Sequence, residues 1–512
     1  MRTNINKLLF FSVLLSIGMV GCQKKLDINH NPNNVTESNI TAELILPNAL
    51  QGVGAQTAVG NRTIDNDGYA TGYGWVSNWM GHFSPSGSYN PSTEESTYNI
   101  TNTFQDTRWP GLYNVLFDLY NVEQKALESN QPYYRAVAMI NKAHLFQFLV
   151  DIYGNVPYSQ AFKPIEFPAP AYDKAEDIYA NLQVQLDTAV AILSEVVDHV
   201  PSSAETIDIV YHGDAEMWIK MANTIKLRLL IRTSEINANP TAELAKIKTN
   251  GGVLQSGESA EVNPGYLNDV GKQNPFYSAY GLLPSGNVAN EYYRANAYMI
   301  NVLKNNLDPR LAYFFAPAKN GGQFVGTVYG SPPDDAYNGD KTSNIGPGLA
   351  KSYDQGQWIV TSVESMFLQA EAVARGWDVG YSGSAQQAYE EAVTESFIWL
   401  GVDDAEDAAA EYLSEARNAK WANAGSSMDS RIKFIVNQKY IAMVGINPIE
   451  AWNDYRRLGV PADVPLSVNP ARGSRTIPVR LLYPQTEYAV NGANVQAQGN
   501  IDPNTRIFWD KQ

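Results

Sequence analysis

Glu450 and Asp454 stand four residues apart in the run Glu450-Ala451-Trp452-Asn453-Asp454-Tyr455-Arg456-Arg457. Paired carboxylates hydrolyse glycosides by acid/base chemistry when they flank a bond, at a separation of about 5 to 10 Å. Two carboxylates at i and i+4 of one helix point the same way and flank nothing. They therefore read as partners of arginines that fix helix packing. A membrane-anchored α-helical hydrolase or lyase is the alternative. It would need carboxylates from separate elements, and the sequence nominates no such pair, so no catalytic residue is expected.

Ligand chemistry is more legible in the aromatic, amide-rich segments. Trp75 and Trp79 are one helical turn apart, Asn78 is beside them, His82 follows, and Tyr89 lies in the Gly/Ser/Pro loop Ser84 to Pro91. A sugar ring stacks its C–H groups on indole or phenol faces, while its hydroxyls need amides or carboxylates. The competing expectation is that Trp75 and Trp79 form an apolar stripe facing the core. Further candidates are Asn274 and Tyr277, after Gly271-Lys272-Gln273, and Tyr329 and Tyr337, which flank Ser331-Pro332-Pro333-Asp334-Asp335. For these a solvated loop is the competing expectation.

Asp65 with Asp67, and Asp334 with Asp335, offer hard oxygens suited to calcium. Neither pair has the full twelve-residue ligand spacing, and no metal or other cofactor is expected. Five histidines without an H-E-x-x-H pair give no zinc site. Neither a glycine-rich phosphate loop nor a serine nucleophile elbow is present.

The single cysteine, Cys22, follows Gly21 at the end of an apolar run, Leu8 to Val20, preceded by Arg2 and Lys7. The run has the length of a signal-peptide core and falls short of the ~20 residues of a spanning helix. With no second cysteine to pair, a lipidated anchor is the expectation, with residues 1–21 as signal peptide, 22–40 as a polar tether and 41–512 as the folded domain. The formal net charge is −16, and loss of Arg2 and Lys7 with the signal takes it to −18. With no sustained Lys/Arg stretch, nucleic acid is excluded as a partner.

The elements that must position these residues are helical. In 172–197, Ala175, Ile178, Tyr179, Leu182, Leu186, Ala189, Val190 and Leu193 recur at three- and four-residue steps. Similar stripes cover 41–58, 108–128, 133–152, 214–236, 290–306, 359–375, 384–400, 405–418 and 428–444. Asp173 and Asp214 sit where N-caps belong, and Gly154, Gly376 and Gly445 where helices stop. Strand-like alternation is confined to 324–329 and 476–482. Ala175-Tyr179-Leu182 and Ala385-Tyr389-Ala392 share a register used by the second helix of tetratricopeptide units. The expected fold is mainly α: a tetratricopeptide-like scaffold of helical hairpins, long irregular loops at 60–107, 251–289 and 317–357, and few short strands.

The run Ile432 to Met443 (IKFIVNQKYIAM), continued by Glu450 to Gly459, resembles the signature of SusD/RagB-type nutrient-binding lipoproteins. Ile477 to Pro484 with Glu487, and Phe508-Trp509-Asp510, are similar to that family's C-terminus. Tyr153 to Tyr158, Asn223 to Arg232, Asp308 to Leu311 and Ala370-Glu371-Ala372 agree in kind and order. The resemblance implies a cell-surface lipoprotein of the outer membrane that captures oligosaccharides, or in some members oligopeptides, and delivers them to a SusC-like TonB-dependent transporter without catalysis. Many surface-exported relatives carry acids after the lipidated cysteine, whereas Lys24 and Lys25 stand here. A purely structural transporter subunit, its aromatics touching only the transporter, is the remaining alternative.

Overall fold

Apolar residues at helical spacing bury one face each, and the helices they form pair along the chain. The computed structural model describes residues 40–57 and 72–511. The helices that carry the scaffold are α1 (Ala42–Thr57), α2 (Gly74–Trp79), α3 (Thr93–Thr97), α4 (Arg108–Glu128), α5 (Pro132–Tyr153), α6 (Ala175–Val196), α7 (Ala215–Arg232), α8 (Ser362–Ala374), α9 (Ala385–Leu400), α10 (Ala405–Glu415), α11 (Met428–Ala442) and α12 (Pro448–Leu458). In the first half α1 packs on α4, α4 on α5, α5 on α6 and α6 on α7; in the second α8 packs on α9 and α11, α9 on α10, and α11 on α12. α7 against α8 joins the halves. This is the expected tetratricopeptide-like stack.

α6 buries the eight residues of its apolar stripe, whereas α5 is buried on nearly every face from Tyr133 to Tyr153. A helix buried all round belongs at the centre of a fold, and α5 is enclosed by α1, α4, α6 and α7. Asp214 caps α7 by accepting from the Met217 amide at 3.0 Å. Asp173 is not a cap. It lies in a strand, and its carboxylate pins the loop after α5 by accepting from the amides of Tyr158 and Ser159, both at 2.9 Å.

Among the described residues six short strands form three two-stranded antiparallel sheets: β1 (Phe83–Pro85) with β5 (Tyr293–Ala295), β2 (Val156–Pro157) with β3 (Tyr172–Asp173), and β4 (Ala260–Val262) with β6 (Gln357–Val360). The strands expected at 324–329 and 476–482 do not form: the first makes a single bridge, Asn296 to Thr327, and the second is irregular. The stripe at 290–306 divides at Asn296. Residues before it form β5, and Asn296 caps the helix Ala297–Asn305 through the Tyr298 amide at 2.9 Å.

Candidate functional site: a loop-built cavity over a buried charge network

The carboxylates of α12 lie deep in the protein. Glu450 and Asp454 are 1% and 2% exposed, which closes them to any substrate. Lys439 reaches Asp454 at 3.0 Å and Glu450 at 3.5 Å. Arg232 of α7 binds Glu450 and, at 3.3 Å, Asp151 of α5. Arg457 takes Glu371 of α8 with both guanidinium nitrogens, at 2.6 and 2.8 Å, and Asp454 at 2.8 Å. Burial alone would raise the Glu450 carboxyl, but Arg232, Lys439 and Arg228 hold it down at about 2. Arg456 lies 3.6 Å over the Trp452 ring and 4.7 Å over Trp509. Burial pulls that guanidinium down to about 9. The cluster thus ties α5, α7, α8, α11 and α12 together, in the packing role the sequence implied.

The segment around α2 is also interior. Trp75 and Trp79 pack edge to face at 4.7 Å, and Trp75 meets Trp452 at 5.6 Å. Both indoles are 1% exposed or less, so neither ring face is open to a sugar, and the apolar-stripe alternative holds for them. Asn78 donates to Glu95 at 2.7 Å. His82 is buried against Tyr440, and burial pulls its imidazole down to about 3, leaving it neutral. Asn274 caps the helix Pro275–Tyr280 through the Tyr277 amide at 2.8 Å. The half-buried Tyr277 ring closes over Gly281, where an added Cβ would lie 2.7 Å from it. Tyr329 is buried and donates to Glu95 at 3.1 Å.

Tyr89 and Tyr337 differ. They are 36% and 44% exposed, and Tyr337 lines a surface depression. Its volume is about 650 Å³, and its walls are two chain-distant segments, Ser84 to Pro91 and Thr327 to Tyr337. The first is held by β1 pairing with β5, Ser84 opposite Arg294. The second is bound to the same edge by the Thr327 amide donating to the Ala295 carbonyl at 3.0 Å. The two loops join directly, the Gly87 amide donating to the Tyr337 carbonyl at 2.7 Å and the Asp334 amide to the Gly87 carbonyl at 2.9 Å. Gly330, at φ +86°, passes so near the chain that an added Cβ would lie 2.1 Å from Ser467 Oγ.

The lining is polar where it is deepest. Ser84 and Thr327 line this cavity at 0% and 5% exposure, and their hydroxyl oxygens are buried with no hydrogen-bond partner among the described residues. Ser331, Asp334 and Asp335 add polar groups nearer solvent, and Pro85, Pro332 and Pro333 stiffen the walls. On the Ser84 to Pro91 loop Tyr89 packs on Tyr292 at 5.6 Å, with its hydroxyl 3.5 Å from Glu291 Oε2.

Asp335 is engaged by Lys341 at 2.9 Å, and Asp334 caps the following turn through the Ala336 amide at 2.8 Å. Among the described residues no group of three His, Cys, Asp or Glu side chains converges. Asp65, Asp67 and Cys22 lie outside the described residues. Of the cavity lining, sequence reasoning pointed to Tyr337, Asp334 and Asp335 but missed Ser84 and Thr327.

A stack of helical hairpins that carries a polar, aromatic-rimmed depression on its long loops defines a tetratricopeptide-like ligand-binding protein. The SusD-like family model, described as starch-binding and associating with the outer membrane, matches residues 41–484. The chain belongs to that family of outer-membrane nutrient-binding proteins. No curated protein sequence matches it. Solved structures share its fold: a SusD homologue from Bacteroides fragilis at 23% identity and TM-score 0.73, covering 92% of this chain and 100% of that one, and a SusD-like protein from Bacteroides thetaiotaomicron at 24% and 0.71, covering 91% and 99%. A chitin-binding SusD homologue from Flavobacterium johnsoniae gives 24% and 0.73, covering 91% and 98%. No helix among the described residues is long and apolar enough to cross a membrane.

Proposed function

We propose that this protein is a lipid-anchored, outward-facing receptor that captures oligosaccharides in the depression between Ser84 to Pro91 and Thr327 to Tyr337 and delivers them to a SusC-like TonB-dependent transporter. The carrying observation is the open depression of about 650 Å³ between the two loops, with exposed Asp334, Asp335 and Tyr337 in its lining. A sugar hydroxyl both donates and accepts, which suits it to exposed carboxylates. Tyr89 and Tyr337 offer ring faces at low entropic cost, and Asp334 and Asp335 offer acceptors. Chitin binding by the Flavobacterium relative and the family's starch-binding description favour a glycan over a peptide. Cys22 is the proposed lipid attachment, and the hand-over to a transporter raises the cargo's effective concentration at the pore.

The role is binding without turnover. The test is titration of purified protein with maltohexaose, chitohexaose and a tryptic peptide mixture, each incubation also being assayed for product. Saturable binding of one glycan without cleavage supports the reading. Cleavage would replace it with a hydrolase, and binding of peptides alone would change the cargo. Labelling with a fatty-acid analogue, lost in Cys22→Ser, tests the anchor. Co-purification with a barrel protein tests the partner.

A further inference from the structure

Glu95 is a buried carboxyl, 5% exposed, directly behind the cavity wall. Every partner it has is neutral: Asn78 Nδ2 at 2.7 Å and the Tyr329 hydroxyl at 3.1 Å donate to Oε1, and Trp79 Nε1 donates to its carbonyl at 3.1 Å. No cation among the described residues pairs with it. The buried acids of the α12 network, Glu371, Glu450 and Asp454, each meet a lysine or an arginine. Tyr329 sits between Val328 and Gly330, which both line the cavity, and its carbonyl takes the Val468 amide at 2.9 Å. From the other side, Gly473 donates to the Thr97 carbonyl of α3 at 3.0 Å, and Asn469 to Ser96 Oγ at 2.9 Å. Glu95 is thus the joint at which α3, α2 and the 327–331 wall meet.

We propose that Glu95 is a proton-dependent positioning residue: uncharged, it lets Tyr329 seat the 327–331 wall against α3, and charged, it loosens that wall, so that cargo capture is linked to pH. This rests on the cavity being the cargo site. The titratable groups facing Glu95 are Tyr98 at the end of its own helix, Tyr329 on the wall, Tyr292 before β5 and Tyr293 in it, with Arg472 near Tyr98. Burial raises all four phenols, so none carries charge near neutrality. Burial likewise raises Glu95, only partly offset by the bonds from Asn78 and Tyr329, to about 7. The sign follows. The closed wall is favoured fully below the ordinary carboxylate value, and that preference is lost as pH rises through about 7.

The test is hydrogen exchange across residues 327–331 and 467–469, corrected for intrinsic rates, from about pH 5.5 to about pH 8.5. Linkage between an ordinary 4.5 in the open wall and about 7 in the closed one sets a rise in opening of up to ~30-fold over that range. Glu95→Gln, which fixes the neutral form, is expected to keep the wall closed and flatten the profile. Tyr329→Phe, which cuts the link, is expected to lose the step at the wall while tryptophan emission still changes through Trp79. Identical profiles in wild type and Glu95→Gln would overturn the proposal. A ligand arm uses maltohexaose: its affinity is expected to fall with rising pH in wild type and to stay level in Glu95→Gln. Absence of maltohexaose binding at every pH would count against that cargo and leave the exchange result to decide the latch.

Discussion

Gly87 and Asp334, on opposite walls of the cavity, touch through backbone alone. The Asp334 amide donates to the Gly87 carbonyl at 2.9 Å, and a Cβ added at Gly87 would lie 2.2 Å from the Asp334 carbonyl oxygen. That contact is shorter than any side chain tolerates, so glycine here sets the width of the depression. Gly87→Ala is expected to separate the two loops and cost about 1–3 kcal/mol, as overpacking does. A lower Tm together with weaker glycan binding checks it; an unchanged affinity would remove the seam from the site.

Tyr337 in the lining and Tyr89 on the loop that forms one wall present exposed rings, whereas Trp79 contributes core. Tyr337→Ala and Tyr89→Ala should each weaken glycan binding about two- to tenfold, the worth of one aromatic contact, with Tm nearly constant. Trp79→Ala should instead cost about 3–5 kcal/mol of stability. Isothermal titration and thermal melts on the same three variants separate the roles. A Trp79→Ala protein that melts normally but binds no glycan would reverse the assignment.

The α12 network makes an acid-linked prediction. Arg232 and Lys439 keep Glu450 ionised down to about 2, so its contribution to stability is fully present above the ordinary value of 4.5 and is lost as pH falls through about 2. Glu450→Ala leaves Arg232 and Lys439 without that carboxylate in the interior, a loss expected at about 3–5 kcal/mol. Urea melts at neutral pH read this loss directly. Below about pH 2, where Glu450 itself is protonated, the wild type should approach the variant.

How much of this was legible depends on what each signal measures. Stripes such as Ala175 to Leu193 gave helices correctly because burial follows the helical period. The same logic left Trp75 and Trp79 undecided, since a spacing of four fixes a face and not what covers it. Their cover comes from Trp452 and Phe104, far along the chain. Asp173 looked like a cap from its position before α6, yet its carboxylate is taken by the loop after α5. The strand expected at 476–482 failed because its backbone groups are used singly by distant partners, as when the Leu481 amide donates to Ile152. Ser84 and Thr327 could not be found from sequence at all. A serine and a threonine become a site only when β1, β5 and the 327 segment bring them to one cavity.

Those two hydroxyls allow the sharpest separation between folding and binding. In most buried positions, removing a hydroxyl breaks a hydrogen bond and destabilises the protein. Ser84 Oγ and Thr327 Oγ1 have no partner among the described residues to lose, so Ser84→Ala and Thr327→Val should leave Tm unchanged or slightly raised. If they bond to the cargo, each substitution removes about 0.5–1.5 kcal/mol of binding, roughly two- to tenfold in Kd. The double variant should lose about the product of the two, with Thr327→Val preserving the shape of the wall. Stability rising while affinity falls is a combination that a purely structural role for these residues does not produce. Equal affinity in the double variant would place the cargo elsewhere on the protein.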